Sequence, residues 1–148
     1  MIRTDAEHRQ ALEQLEAQTA RLAKRRGALK AEGRTPAEIR RLLEPIESFR
    51  DGIAEDVALY EGLRRGEFPI LRNLDGLGRL LISLRIAKGI SQRELAERLE
   101  VHESQISRDE RHEYHNVTLE RAGRVLEAIG AELTTRVTGL GSESIEVA

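Results

Sequence analysis

Between residues 102 and 116 the chain gathers side chains suited to hydrogen-bonding a nucleobase edge or a phosphate: His102, Glu103, Ser104, Gln105, Arg108, Arg111, His112, Tyr114, His115 and Asn116. The Arg108 guanidinium can aim two N–H groups at O6 and N7 of a guanine, a pairing worth about 1–3 kcal/mol of discrimination. The same group serves equally as a phosphate contact, and phosphate contacts outnumber base contacts in such complexes. A carboxylate at Glu103 accepts from cytosine N4, or simply gains from the positive end of a helix. Ser104 and Gln105 suit several bases, although small polar residues are common on any exposed helix. His112 and His115, with His102 nearby, raise metal binding, but the spacing supplies no third ligand and no zinc-protease arrangement, so no metal is expected.

Other chemistries have little to work with. The 148 residues include no Cys, which excludes disulfides, thiolate nucleophiles and Cys-ligated zinc or iron–sulfur sites. There is no Gly-rich phosphate loop, and no acid–base pairing outside residues better explained as helix caps. Neither an enzyme nor a bound cofactor is therefore expected. No apolar core follows Met1 as a signal peptide would require, and no run approaches the roughly 18 apolar residues of a membrane span. The expectation is a soluble, cytoplasmic protein without membrane contact. Charged residues make up 34% and aromatics 3%, yet Leu, Ile and Val recur at helical spacing nearly throughout, which points to a folded, mostly helical chain rather than disorder.

The elements that position the polar cluster divide near Gly66. Residues 1–70 read as an antiparallel helical hairpin. Thr4 with Glu7 is a capping box opening a first helix, whose stripe of Leu12, Leu15, Thr19, Leu22, Arg26 and Leu29 suits a single partner helix. Gly33-Arg34 ends it. Thr35-Pro36-Ala37-Glu38 is a second box, followed by Ile39, Leu42, Leu43, Ile46, Phe49, Ile53, Val57, Tyr60 and Leu63, with Pro45 expected to kink or split the helix. The hairpin carries 13 Lys+Arg and 13 Asp+Glu, so it has no bulk attraction for nucleic acid and reads as a dimerisation or partner-binding arm.

Residues 71–131 read as a bundle of short helices. Asn73 to Gly89 is expected to be helical, with Leu77, Leu80, Leu81, Leu84 and Ile86 inward. Ser91-Gln92-Arg93-Glu94 is a third capping box, opening a helix through Leu99. A tight turn then leads to a helix over about Glu103 to Glu113 anchored by Ile106. Two helices this short, joined this tightly and with the small Ala96 where they approach, form a helix-turn-helix unit. Thr118 caps a last helix with Leu119, Ala122, Val125, Leu126 and Ile129 apolar, and Gly130 ends it.

The run Ile90-Ser91-Gln92-Arg93-Glu94-Leu95-Ala96-Glu97-Arg98-Leu99-Glu100-Val101-His102-Glu103-Ser104-Gln105-Ile106-Ser107-Arg108 resembles the helix-turn-helix of lambdoid phage repressors and xenobiotic-response-element-type bacterial regulators. The resemblance covers about residues 74–130. It implies that the helix from Glu103 enters the DNA major groove, that His102, Glu103, Ser104 and Arg108 stand at base-contacting positions, and that Arg85 and Glu110 form a structural ion pair. Gln92 would bond a phosphate or brace the recognition helix, and the loop of Arg111, His112, Tyr114, His115 and Asn116 would face the phosphate backbone. Two positions depart from the family pattern. Glu100 stands where the turn usually has Gly, at a cost of about 1 kcal/mol if the backbone there is left-handed. Asp109 stands where an aliphatic residue is usual, so it should be paired, with a nearby Arg as partner.

Charge weighs against this reading, since residues 71–148 hold 11 Lys+Arg against 13 Asp+Glu and many DNA-binding domains are basic. Glu97, Glu100, Glu103, Asp109, Glu110 and Glu113 all fall in the motif. Nonspecific binding should then be weak, and affinity should come from a locally basic face and specific contacts.

Beyond Gly130 the period changes to two. Leu133, Thr135 and Val137 alternate with polar residues as in a half-buried β-strand, and the natural partner is the same strand of a second copy across a twofold axis. The tail from Gly139 to Ala148 is expected to be mobile. The fold expected is mainly α: a hairpin over residues 1–70, a lambda-repressor-like bundle over 71–131, and one C-terminal strand and tail over 132–148. The function expected is a homodimeric regulator, in all expectation a repressor, on an inverted-repeat double-stranded DNA operator. The chain is also similar to HigA-type antitoxins, which implies a toxin partner at the hairpin and autorepression. A protein-interaction module that no longer touches DNA is the remaining alternative.

Overall fold

A computed structural model describes residues 1–141 as six helices: α1 (Asp5–Ala31), α2 (Pro36–Arg64), α3 (Leu77–Ala87), α4 (Gln92–Leu99), α5 (Glu103–Arg111) and α6 (Leu119–Ile129). No helix among them is long and apolar enough to cross a membrane. Residues 142–148, most of the tail expected to be mobile, lie outside the described residues.

The hairpin starts are chemically specified. Thr35 Oγ1 accepts from Glu38 N at 3.2 Å while Glu38 Oε2 accepts from Thr35 N at 2.9 Å, a complete capping box with Pro36 at the first helical position. At α1, Thr4 accepts from Glu7 N, but the Glu7 carboxylate takes the N–H of Arg3 at 2.7 Å instead of that of Thr4. The box has moved one residue toward the chain start, and Arg3 is held by it. Of the kink or split expected at Pro45, the split does not occur: α2 continues through it. The proline removes one backbone hydrogen bond, but it sits exposed, and Leu43 and Ile46 beside it bury against Leu22 and Leu29. Packing thus holds the helix together across the gap.

Two cores result. One lies at the hairpin tip, built from Leu22, Leu29, Ile39 and Leu43. The other begins at the hairpin base with Ile2, Val57, Tyr60 and Leu63 and continues through Leu81, Ile82, Ile86, Leu95, Ala96, Ile106, Ala122, Val125 and Ile129. The division at Gly66 read from the sequence is therefore crossed by a shared core: the hairpin is rooted in the helix-turn-helix bundle. Each large side chain sealed there contributes about 1.5–3 kcal/mol.

α3 starts later than expected, at Leu77, because Asn73 (φ 53°), Leu74 (φ 63°) and Gly76 (φ 81°) are left-handed and cannot continue a right-handed helix. α5 likewise stops at Arg111, two residues short, since Glu113 and Tyr114 are left-handed (φ 52° and 53°). α6 is capped by Thr118 and closed by Gly130 (φ 73°), but Leu119 is exposed rather than inward.

The expected C-terminal strand is absent among the described residues. Residues 132–141, including Leu133, Thr135 and Val137, have no regular secondary structure and make no backbone–backbone hydrogen bond among them. A strand needs a ladder partner for its N–H and C=O groups, and the described chain offers none.

Candidate nucleic-acid interface

α4 and α5 are locked by their own caps and by one turn. Ser91 and Glu94 complete a capping box (3.0 and 2.8 Å), and the Ser91 backbone N–H donated to the Glu94 carboxylate, with the Ser91 side chain beside it, holds that carboxyl below the usual value. Glu100 closes α4 in the left-handed conformation (φ 55°, ψ 41°), and Val101 N donates to Ala96 O at 3.0 Å. His102 is the N-cap of α5: its Nδ1 accepts from Ser104 N at 3.1 Å and lies 2.8 Å from Ser104 Oγ. That arrangement puts the proton of a neutral His102 ring on Nε2.

Beneath α5 lies a buried polar network. Glu110 is 1% exposed and Arg85 3%. Arg85 Nε donates to Glu110 Oε1 and Nη2 to Oε2 at 2.8 Å, while Nη1 donates to Ile90 O at 2.8 Å. Gln92 Nε2 donates to Glu110 Oε2 at 2.7 Å. Gln92 therefore braces α5 with its amide N–H. Arg85 Nη2 also donates to Arg3 O at 2.9 Å, tying the chain start to the same network.

Asp109 is paired as its half-buried position requires, with Arg121 Nη2 2.5 Å from Oδ2. In the amide orientation that suits its neighbours, Gln105 accepts from Arg121 Nη1 and Nη2 at 3.1 and 2.9 Å, so its oxygen faces α6. The sequence reading asked for an arginine near Asp109; the capped start of α6 is what puts Arg121 there.

The exposed face of α5 carries His102, Glu103, Ser104, Arg108 and Arg111. Arg108 and Arg111 have no carboxylate within 4 Å among the described residues, whereas four of the six acidic side chains that weighed against DNA have basic partners. Glu97 faces Arg93, Asp109 faces Arg121, Glu110 faces Arg85 and Glu113 faces Arg79. Only Glu100 and Glu103 remain unpaired there among the described residues. Local charge on the recognition helix is accordingly more basic than the count for this half of the chain.

The loop after α5 is shaped by Gly78. A Cβ on Gly78 would stand 1.9 Å from Glu113 O, so only glycine lets α3 touch this turn. Glu113, Tyr114 and Asn116 are all left-handed, a costly run for residues with a Cβ. Tyr114 is buried, its hydroxyl has no hydrogen-bond partner among the described residues, and burial together with Glu110 and Asp109 raises its pKa. Tyr114 is thus a core anchor for the loop, a correction to its reading as a phosphate donor. His112, His115 and Asn116 stay exposed, and Arg108, Asp109, His112, Tyr114 and His115 line a cleft of about 410 Å³. No group of three metal-ligating side chains occurs among the described residues.

The geometry is that of two capped helices, the second presenting a polar face with Arg108 and Arg111 exposed on it. No curated protein and no solved structure matches the chain. Residues 76–137, which take in α3 to α6, match the family model of a helix-turn-helix domain. This segment is therefore similar to DNA-binding helix-turn-helix domains.

Proposed function

We propose that the protein is a sequence-specific DNA-binding transcriptional regulator that acts as a homodimer on an inverted-repeat operator and represses. The observation that carries this is the face of α5, where Arg108 and Arg111 are exposed with no carboxylate partner among the described residues while Asp109 and Glu110 are neutralised from behind by Arg121 and Arg85. Such units insert the N-terminal part of the second helix into the major groove, which brings His102, Glu103, Ser104 and Arg108 to base edges. Arg111, His112, His115 and Asn116 then flank the backbone. Gln105, turned to Arg121, contributes more to holding α5 than to reading bases. No catalytic step and no cofactor belong to this function.

Dimerisation is supported by exposed apolar side chains along residues 69–74 and 133–139. Ile70 and Val137 are 99% and 82% exposed, and residues 69–74 and 133–139 line one cleft of about 750 Å³. Pairing Leu133, Thr135 and Val137 with a second copy covers that apolar surface.

Selection of bound sequences from random duplex DNA, followed by a salt titration on the enriched site, tests this function. An inverted repeat should emerge. Arg108→Ala should relax the preference at one G·C pair in each half-site; a uniform loss with a shallower salt slope would make Arg108 a phosphate contact instead. No enrichment at low salt from folded, dimeric protein would overturn the DNA-binding function.

A second reading, an antitoxin that binds a toxin and represses its own operon, draws on the hairpin. Leu42 and Phe49 are exposed on α2, which also carries an acidic cleft of Glu44, Glu47, Asp51 and Glu55. That combination suits a basic protein partner. A small basic protein that co-purifies stoichiometrically and is released by Phe49→Asp would favour it.

A further inference from the structure

The cleft between the hairpin and the helix-turn-helix unit contains a cation that the charge argument above leaves unused. It has a volume of about 190 Å³, and its lining includes Arg3, Thr4, Arg64, Ser91, Gln92 and Glu103. Gln92 and Glu103 are the first residues of α4 and α5. In a docked helix-turn-helix the start of the second helix meets base edges while the first helix crosses the backbone, so a cleft lined by both starts lies at the rim of the groove.

Arg3 is fixed there from three sides by its own backbone and neighbours. Its N–H donates to Glu7 Oε2 at 2.7 Å and its C=O accepts from the buried Arg85 at 2.9 Å. Ile2 before it is buried in the shared core, and the Met1 amino group lies 3.4 Å from Asp56 Oδ2. Arg3 as a residue is half-buried, and its side chain has no carboxylate within 4 Å and makes no hydrogen bond among the described residues. Holding the backbone this firmly removes the entropic cost of ordering an arm, and leaves a preoriented cation whose five N–H donors await an acceptor. Arg64, which also lines the cleft, spends Nη1 on Ile86 O at 2.9 Å, near the end of α3.

We propose that Arg3 contacts a backbone phosphate of the bound duplex, so that the chain start, carried on the hairpin and outside the helix-turn-helix unit, forms part of the DNA interface. This inference rests on the DNA-binding function above. Beside Glu103, whose carboxylate repels the backbone, a cation at this point also lowers the barrier to seating α5. The hairpin root then has a direct role: it holds Arg3 in register with the start of α5.

The test is the salt dependence of affinity for the selected operator. Each phosphate contact contributes about 0.9 to the slope of log K against log salt, so Arg3→Gln should lower the slope by about that amount and Arg3→Lys should retain it. Arg21→Gln, on an exposed α1 position outside the cleft, should leave the slope unchanged. Neutral methylphosphonates placed singly along the operator should reveal one phosphate whose replacement weakens the wild type but not Arg3→Gln. Thermal melting controls for folding, which Arg3→Gln preserves because the backbone N–H and C=O remain. An unchanged slope in Arg3→Gln, or methylphosphonate effects that simply add to the mutation at every position, overturns the Arg3 contact alone. Absence of operator binding by the wild type overturns it together with the DNA-binding function.

Discussion

Glu110 and Arg85 meet inside the protein with both carboxylate oxygens engaged, one by Arg85 alone and the other shared between Arg85 and Gln92. A buried pair of this kind adds little over an apolar replacement of both, but deleting one partner strands the other charge. Glu110→Ala or Arg85→Ala should therefore cost about 3–5 kcal/mol in urea unfolding. Because the pair joins α3, α5, the start of α4 and the Arg3 carbonyl, Glu110→Ala should also lower operator affinity more than its exposure suggests. A loss below 1 kcal/mol would mean that the pair does not hold the bundle together.

Gly78 is the second point at which one atom decides the site. With a hypothetical Cβ 1.9 Å from Glu113 O, Gly78→Ala must push the 112–116 loop away from α3. Overpacking of this kind costs about 1–3 kcal/mol. Hydrogen exchange should show the loss concentrated in the loop, since Tyr114 is its anchor. Uniform protection and an unchanged melting temperature would contradict this.

What the sequence shows and what it hides differ in physical kind. Four helix starts, at Thr4, Thr35, Ser91 and Thr118, are visible because capping is local chemistry: Thr35 with Glu38 and Ser91 with Glu94 need only four residues to specify a geometry. The helix-turn-helix unit is visible for the same reason, and the departure at Glu100 leaves it intact because the residue simply takes up the left-handed conformation, φ 55°. Hidden features are non-local. That Tyr114 turns inward depends on Gly78, more than thirty residues earlier, and that Gln105 faces α6 depends on Arg121. The period-two pattern around Leu133 is real, yet alternation alone does not supply the partner that turns it into a strand. At Pro45 the split that a local helix-breaking rule allows does not occur, because packing between α1 and α2 outweighs it.

Tyr60 makes stability depend on alkaline pH. Burial, reinforced by its hydrogen bond to Asp5, raises its pKa from 10.0 to about 12. The folded state thus keeps the Tyr60 proton where the unfolded chain releases it. Its contribution is full below pH 10.0 and is lost as pH rises toward about 12. The other tyrosine, Tyr114, is shifted the same way. Absorbance at the tyrosinate band should therefore stay low at pH 10.0, where a free tyrosine is half-ionised, and rise together with unfolding. Tyr60→Phe should make stability fall less steeply over that range. Half-ionised tyrosines at pH 10.0 in folded protein would contradict the burial argument.

The two surfaces able to join copies of the chain make opposite demands on mutants. At the C-terminal segment, Val137 is 82% exposed beside Ile70 at 99%, with backbone groups that have no ladder partner. At the hairpin, Phe49 is 60% exposed midway along α2, beyond the sealed tip core of Leu22, Leu29, Ile39 and Leu43. Val137 and Ile70 are each more exposed than Phe49, so the C-terminal segment has more apolar surface to gain by burial against a second copy. Sedimentation equilibrium should therefore find a dimer that Val137→Asp converts to monomer and Phe49→Asp leaves intact. Since a twofold operator is read by two linked recognition helices, Val137→Asp should also weaken binding to the full inverted repeat while leaving affinity for a single half-site unchanged. If Phe49→Asp is the variant that dissociates the dimer, the hairpin is the dimer arm and the C-terminal segment is not.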